Sequence, residues 1–102
     1  MLASFSMVPV GAGEELKELV ADILDIIDKS GIKYTLGAMQ TTLEGDEEEV
    51  MTLIMKCHRH MREAAPRVLT HITIDDRPGA RERLAGKVSD VEEVLGRRLS
   101  HE

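Results

Sequence analysis

The sequence predicts an α+β fold of ferredoxin-like type, βαββαβ, with an added C-terminal helix. Three observations carry that prediction. Two stretches show apolar residues at helical steps of three and four, and each follows a stretch of strand-like alternation. Between them lies a dense run, Lys33 to Gly45 (KYTLGAMQTTLEG), that reads as a hairpin. A further alternating segment, RVLTHITI, follows immediately after Pro66. Right-handed crossovers place the first two helices on one face of an antiparallel sheet.

Residues 2–8 read as the first strand, with Ala3, Phe5 and Met7 on one face and Ser4, Ser6 and Val8 on the other. Pro9 and Gly11-Ala12-Gly13 are expected to end it. A helix is expected over 14–29, where Leu16, Leu19, Val20, Ile23, Leu24 and Ile27 form one apolar stripe. Glu14 and Glu15 suit the positive end of its dipole, and Gly31 is placed for a left-handed C-terminal cap. Strands over 32–37 and 40–44 follow, joined tightly around Ala38-Met39. Asp46 is a natural N-cap, and Glu49 three residues on resembles a capping box. The second helix then runs to about Ala65. Val50, Leu53, Ile54, Cys57, Met61 and Ala64 or Ala65 mark its buried side, and Pro66 cannot continue it. The fourth strand covers 67–74, with Val68, Ile72 and Ile74 on one face and Arg67, Leu69, His71 and Thr73 on the other. Asp75 to Gly79 is turn-rich, and a last helix is expected over 81–98. Its Leu84, Val88, Val91 and Leu95 form a narrow 4-3-4 seam.

The 102 residues are read as a single domain, 1–102, and their 42% hydrophobic content suffices for a core. A net charge of −6 lacks the basic footprint that phosphate backbones demand. With only Phe5 and Tyr34 as aromatics, a base-stacking platform is also excluded, so no nucleic-acid partner is expected. No apolar run approaches the ~18 residues of a membrane span, and no basic segment opens a signal peptide, so no membrane partner is expected. The lone Cys57 fits a reducing cytoplasm and an inert core thiol. No phosphate loop, dinucleotide fingerprint, paired-cysteine motif or serine-nucleophile elbow occurs, and no nucleophile has an oriented base beside it. The chain is therefore not expected to be an enzyme, and no cofactor is required.

Two helices cover one sheet face. The other would carry Ser4, Ser6, Val8, Leu69, His71, Thr73, Gln40, Thr42 and Glu44. That mixture is too apolar for a wet face and too polar for a dry core. A sister copy over it would bury Val8 and Leu69 and enclose the polar groups in a cleft, so a homo-oligomer with a small-molecule site is expected. Glu44 is the sharpest binding candidate, as a carboxylate that accepts from an amino group or opposes a cation; its alternative is a strand-end charge beside Gly45. Thr42 shares its face by alternation, and a bulge would bring Thr41 round instead. Arg67 offers a planar fork for carboxylate or phosphate, or an ion pair with Glu63 or Glu44. Tyr34 reads as a stacking ring or a core tyrosine. His58 reads first as a hydrogen-bonded packing residue. His58 and His60 lack the i, i+4 spacing of a helical metal pair, and no metal site is expected. Two further functions stay open: a regulatory or scaffold oligomer that engages a protein partner through the C-terminal seam, and an enzyme using His71 or Glu44 at a cleft.

The chain also resembles the family of small thiamine-binding proteins. The resemblance runs over nearly the whole length. It rests on a first strand ending in MVPVG, on KYTLGAMQTTLEGD, on KCHRH, and on RVLTHITIDDR followed by GKVSDVEEVL. It implies a ferredoxin-like fold, a cytosolic homotetramer, and binding of thiamine or its hydroxymethylpyrimidine moiety without catalysis. It further implies that Thr41 and Glu44 stand in the family's T-x-x-E-G pattern, Arg67 in its R-V pair, and His58 at a helical histidine. Ser6 takes the first-strand position facing the cleft. Many relatives have proline where this chain has Ala38 and a small residue where it has Gln40, and a larger Gln40 would narrow the cleft or add a hydrogen bond. The loop at Gly11-Ala12-Gly13 also lacks the expected serine or threonine cap.

Overall fold

The structure is a computed structural model that describes residues 1–11, 16–77 and 90–98. Its elements run β1 (Leu2–Val10), α1 (Leu16–Lys29), β2 (Lys33–Leu36), β3 (Thr41–Glu44), α2 (Glu47–Ala64) and β4 (Arg67–Asp75). The sheet has four strands in the order β2-β3-β1-β4, and every neighbouring pair is antiparallel. This is the α+β, ferredoxin-like arrangement that the alternating periods predict. Residues 90–95 are helical, within the expected third helix.

Both helices pack on one side of the sheet. Ala3 and Phe5 of β1 and Leu43 of β3 join Leu19, Ile23 and Ile27 of α1 and Val50, Leu53, Ile54, Cys57 and Met61 of α2 in a single buried cluster. The α1 contributors recur every four residues, so one narrow ridge faces the sheet. Leu16 and Val20, which extend the stripe in sequence, remain 44% and 42% exposed. The apolar surface of α1 is thus wider than its contact. On α2, Ala65 rather than Ala64 is buried.

The boundaries carry their own chemistry. Gly31 has φ 77, the left-handed conformation that ends a helix. Gly37 N–H donates to the Gln40 carbonyl at 2.9 Å, closing the two-residue link Ala38-Met39. At Gly45 a side chain would meet Val50 Cγ2 at 3.3 Å, so the absence of a Cβ lets β3 turn directly into α2.

Some expectations change. β1 does not stop at Pro9: it pairs with β4 through Pro9–Val68 and Val10–Arg67. The reason is one-sidedness, because β3 pairs with β1 only as far as Phe5–Thr41, and proline is tolerated where a strand has a neighbour on one side. Asp46 occupies the N-cap of α2, but its carboxylate makes no capping hydrogen bond. Three glutamates in the first turn already complement the helix dipole. The C-terminal helical segment ends at Gly96, whose φ of 71 and N–H bond to the Glu92 carbonyl at 2.8 Å turn the chain before Arg98. Glu14, Glu15, Leu84, Val88 and the Pro78-Gly79 turn lie outside the described residues.

Leu43→Ala, at a site with no exposed surface, is expected to cost about 2–5 kcal/mol in urea unfolding. Met39→Ala, at an 86% exposed hairpin tip, should stay within about 0.5 kcal/mol.

Candidate functional site

The strand register sorts the sheet face turned away from α1 and α2, here called the outer face, into rows across the strands. One row is entirely hydroxyl: Thr35, Thr42, Ser4 and Thr73 stand side by side on β2, β3, β1 and β4. The row beyond it is Lys33, Glu44, Leu2 and Asp75. On the other side, Ser6 faces His71, then Val8 faces Leu69, then Val10 faces Arg67. The outer face is therefore graded. It is charged at one end, hydroxyl-lined next, and apolar at Val8 and Leu69 before Arg67.

Burial falls off at Lys33 on β2 and at His71, Thr73 and Asp75 on β4, which are exposed. Ser4, Ser6, Thr35, Thr42 and Glu44 are half-buried, whereas Val8 and Leu69 remain 48% and 39% exposed. Side by side on neighbouring strands, they form an apolar step next to the polar rows. Leu2 falls on the outer side by alternation, is buried, and stands outside the main core cluster. Ser4 Oγ donates a hydrogen bond to Gln40 Oε1, linking the hairpin to the central strand across the outer face.

Five of the residues singled out from sequence share this face: Ser6, Gln40, Thr42, Glu44 and Arg67. They do not all sit together. Glu44 is level with position 2 of β1 and Arg67 with position 10, so they are about 26 Å apart at ~3.3 Å per residue. Ser6, Gln40, Thr42 and Glu44 form the compact group, and within one chain Arg67 belongs to the opposite end.

The other three lie on the helix side. Thr41 pairs with Phe5 and Leu36 and points toward the helices, so strict alternation brings Thr42 rather than Thr41 beside Glu44. Tyr34 OH donates to Asp28 Oδ1 at 2.5 Å and ties β2 to the end of α1. That hydrogen bond raises the Tyr34 pKa above its usual value. His58 Nδ1 lies 2.6 Å from Thr70 Oγ1 and joins α2 to the helix side of β4. His60 Nε2 lies 3.4 Å from Asp22 Oδ2 on α1, so the two histidines serve different contacts. Among the described residues no cluster of three or more metal-ligating side chains occurs.

The sequence reading missed the Ser4–Gln40 link and the place of Thr35. Both signals were available. A two-residue link fixes Thr35 opposite Thr42, and alternation puts Ser4 and Gln40 on the same side.

Cys57 is fully buried, and burial pushes its thiol up to about 11. Lys29 is held above its ordinary value by its hydrogen bond and ion pair with Asp25 at 2.9 Å.

A family model described as thiamine-binding protein matches residues 3–92. The chain belongs to that family. A UPF0045 protein of Mycobacterium bovis is 36% identical over 96 residues, covering 93% of this chain and 94% of the relative. A Bacillus cereus domain of unknown function has a solved structure that is 31% identical, with a TM-score of 0.77 over 85% of each chain. A Thermotoga maritima structure, named for a proposed role in thiamine biosynthesis or salvage, is 29% identical with a TM-score of 0.76. It covers 88% of this chain and 96% of its own. The Thermotoga and Bacillus structures thus share the architecture of this family member. No helix among the described residues is long and apolar enough to cross a membrane.

Two outcomes follow from these contacts. His58→Ala should destabilise the fold by about 1–3 kcal/mol through the partner lost to Thr70, read by urea unfolding. Stability should also decline in alkali. Cys57, Tyr34 and Lys29 all have folded-state pKa values raised above the unfolded ones. Their protonated forms favour folding, so the benefit is complete below the unfolded values and is lost as pH climbs through the folded ones. For Cys57 that window runs from 9.0 to about 11, and thermal melting across it should show a falling midpoint that Cys57→Ala makes shallower.

Proposed function

We propose that the outer face binds thiamine or a related hydroxymethylpyrimidine, without catalysis, in a cleft closed by a second copy of the chain. The observation that carries this reading is the hydroxyl row Thr35–Thr42–Ser4–Thr73, flanked by the Glu44 carboxylate on one side and Val8 and Leu69 on the other. An aminopyrimidine needs acceptors for its amino group, donors for its ring nitrogens and an apolar surface for its ring. All three kinds of group occur on this face in that order. Membership of the thiamine-binding family and the name of the Thermotoga relative support the choice of ligand.

A second copy supports the reading in two ways. It removes the exposed Val8 and Leu69 from water, and it converts a flat face into the concave, partly apolar setting that small-ligand sites need. Arg67 lies too far from Glu44 to share one small ligand within a chain, so a role at that ligand requires the Arg67 of another copy. Thiamine carries a cationic thiazolium, and the net charge of −6 favours its approach. A tetramer in the cytosol is the assembly and location that this reading takes from the family resemblance.

Calorimetry with thiamine, hydroxymethylpyrimidine and a nucleotide control tests the proposal. Heat with either pyrimidine and none with the nucleotide is expected. Glu44→Gln should weaken binding by about tenfold or more, as a lost charge-assisted hydrogen bond does. Equal loss for both ligands assigns Glu44 to the amino group, and a larger loss for thiamine assigns it to the thiazolium. Absence of heat with any pyrimidine at high protein concentration contradicts the proposal.

A further inference from the structure

We infer that Gln40 is a specificity-determining residue of the outer face: Ser4 holds its carboxamide by the oxygen and leaves both N–H donors for a ligand, which selects heterocycles presenting a ring-nitrogen or carbonyl acceptor. The inference rests on the pyrimidine reading above and adds to it which edge of the ring is read, and by what.

The backbone places the residue first. Gln40 closes the β2–β3 link, where its carbonyl accepts from Gly37 N–H at 2.9 Å. The next residue, Thr41, pairs with Phe5, so Gln40 stands level with Ser6 on β1. Its side chain nevertheless bonds Ser4, not Ser6. It therefore leans diagonally along the sheet, a reach that long side chains make between i and j±2 positions. The lean carries the carboxamide to the edge of the hydroxyl row, since Ser4 is the member that faces both Thr42 and Thr73.

The chemistry of the bond then fixes what remains. A serine hydroxyl has one proton, and Ser4 gives it to Gln40 Oε1. One lone pair of the carboxamide oxygen is thereby engaged, and the Nε2 group with its two N–H donors is left on the exposed side chain. Ser4 Oγ keeps its acceptor capacity for a neighbouring hydroxyl. Glu44, at the far side of Thr42, is an acceptor when ionised. The face thus presents donors at Gln40 and an acceptor at Glu44, with hydroxyls of either sense between them. A ring with an unprotonated nitrogen next to an exocyclic amine matches that polarity; a ring of the same shape with C–H in place of the nitrogen leaves the Gln40 donors unpaired. Sites built on buried polar groups reject such analogues strongly.

Gln40→Glu is the sharpest variant, because it keeps the length and the bond from Ser4 while removing both donors. The probes are hydroxymethylpyrimidine and the analogue in which the ring nitrogen next to the amino-bearing carbon is C–H. Wild type should bind the pyrimidine at least about tenfold more tightly than the analogue, as expected when a site's polar groups go unpaired. Gln40→Glu should reduce that ratio to within about twofold by weakening the pyrimidine alone. Ser4→Ala frees the carboxamide to turn and should lower the ratio while retaining measurable binding. Thermal midpoints of the variants, at exposed or half-buried positions, provide the check on folding. An unchanged ratio in Gln40→Glu, or equal weakening of both probes, overturns the assignment while leaving the pyrimidine reading intact. A wild type that takes neither probe removes both.

Discussion

The structure depends on one asymmetry: a four-stranded sheet has two faces, and α1 and α2 pack on the same one. On that side lies the buried core, although Ile72 and Ile74 at the β4 edge stay exposed. Leu43, Val50, Ile54, Ile27 and Cys57 are the largest fully buried side chains, and all of them belong to the layer between sheet and helices. Period-two alternation then commits every second strand residue to the opposite face. The composition of that face is thus free of the demands of the core and available for recognition.

What the outer face carries is ordered rather than mixed. Across the middle of β1 and β4 the register aligns Ser4 with Thr73, Ser6 with His71 and Val8 with Leu69, so polarity falls along the strands from Glu44 and Asp75 to Val8 and Leu69. Cross-strand pairing therefore turns a sequence alternation into a two-dimensional pattern with a direction. A bound heterocycle would have its orientation set by that direction. The Ser4–Gln40 bond adds a second constraint, since it crosses from the hairpin to β1 and fixes where the Ser4 proton points within the hydroxyl row.

Much of the fold was legible from residues alone. Leu19, Ile23 and Ile27 announced the buried ridge of α1, Pro66 the end of α2, and Gly31 the end of α1, because each acts through local geometry that a sequence encodes directly. The site was legible only in part. Alternation placed Ser6, Gln40, Thr42 and Glu44 on one face, since side-chain direction in a strand is local. It did not reveal that Arg67 is a sheet length away from Glu44, because that separation depends on the β1–β4 register, a nonlocal property. His58 reads from sequence first as a hydrogen-bonded packing residue, and Tyr34 as either a stacking ring or a core tyrosine; their hydrogen bonds to Thr70 and Asp28 tie neighbouring elements together. The run of β1 through Pro9 escaped notice for a similar reason: proline breaks a strand with two neighbours, and its tolerance shows only once the pairing is known.

Native mass spectrometry of the purified protein in the presence of thiamine tests the central claim most directly, because it reads subunit number and bound mass in one spectrum. The account predicts an oligomer whose mass rises by the pyrimidine ligand in proportion to its subunits. A single-subunit species, with or without added thiamine, would contradict it.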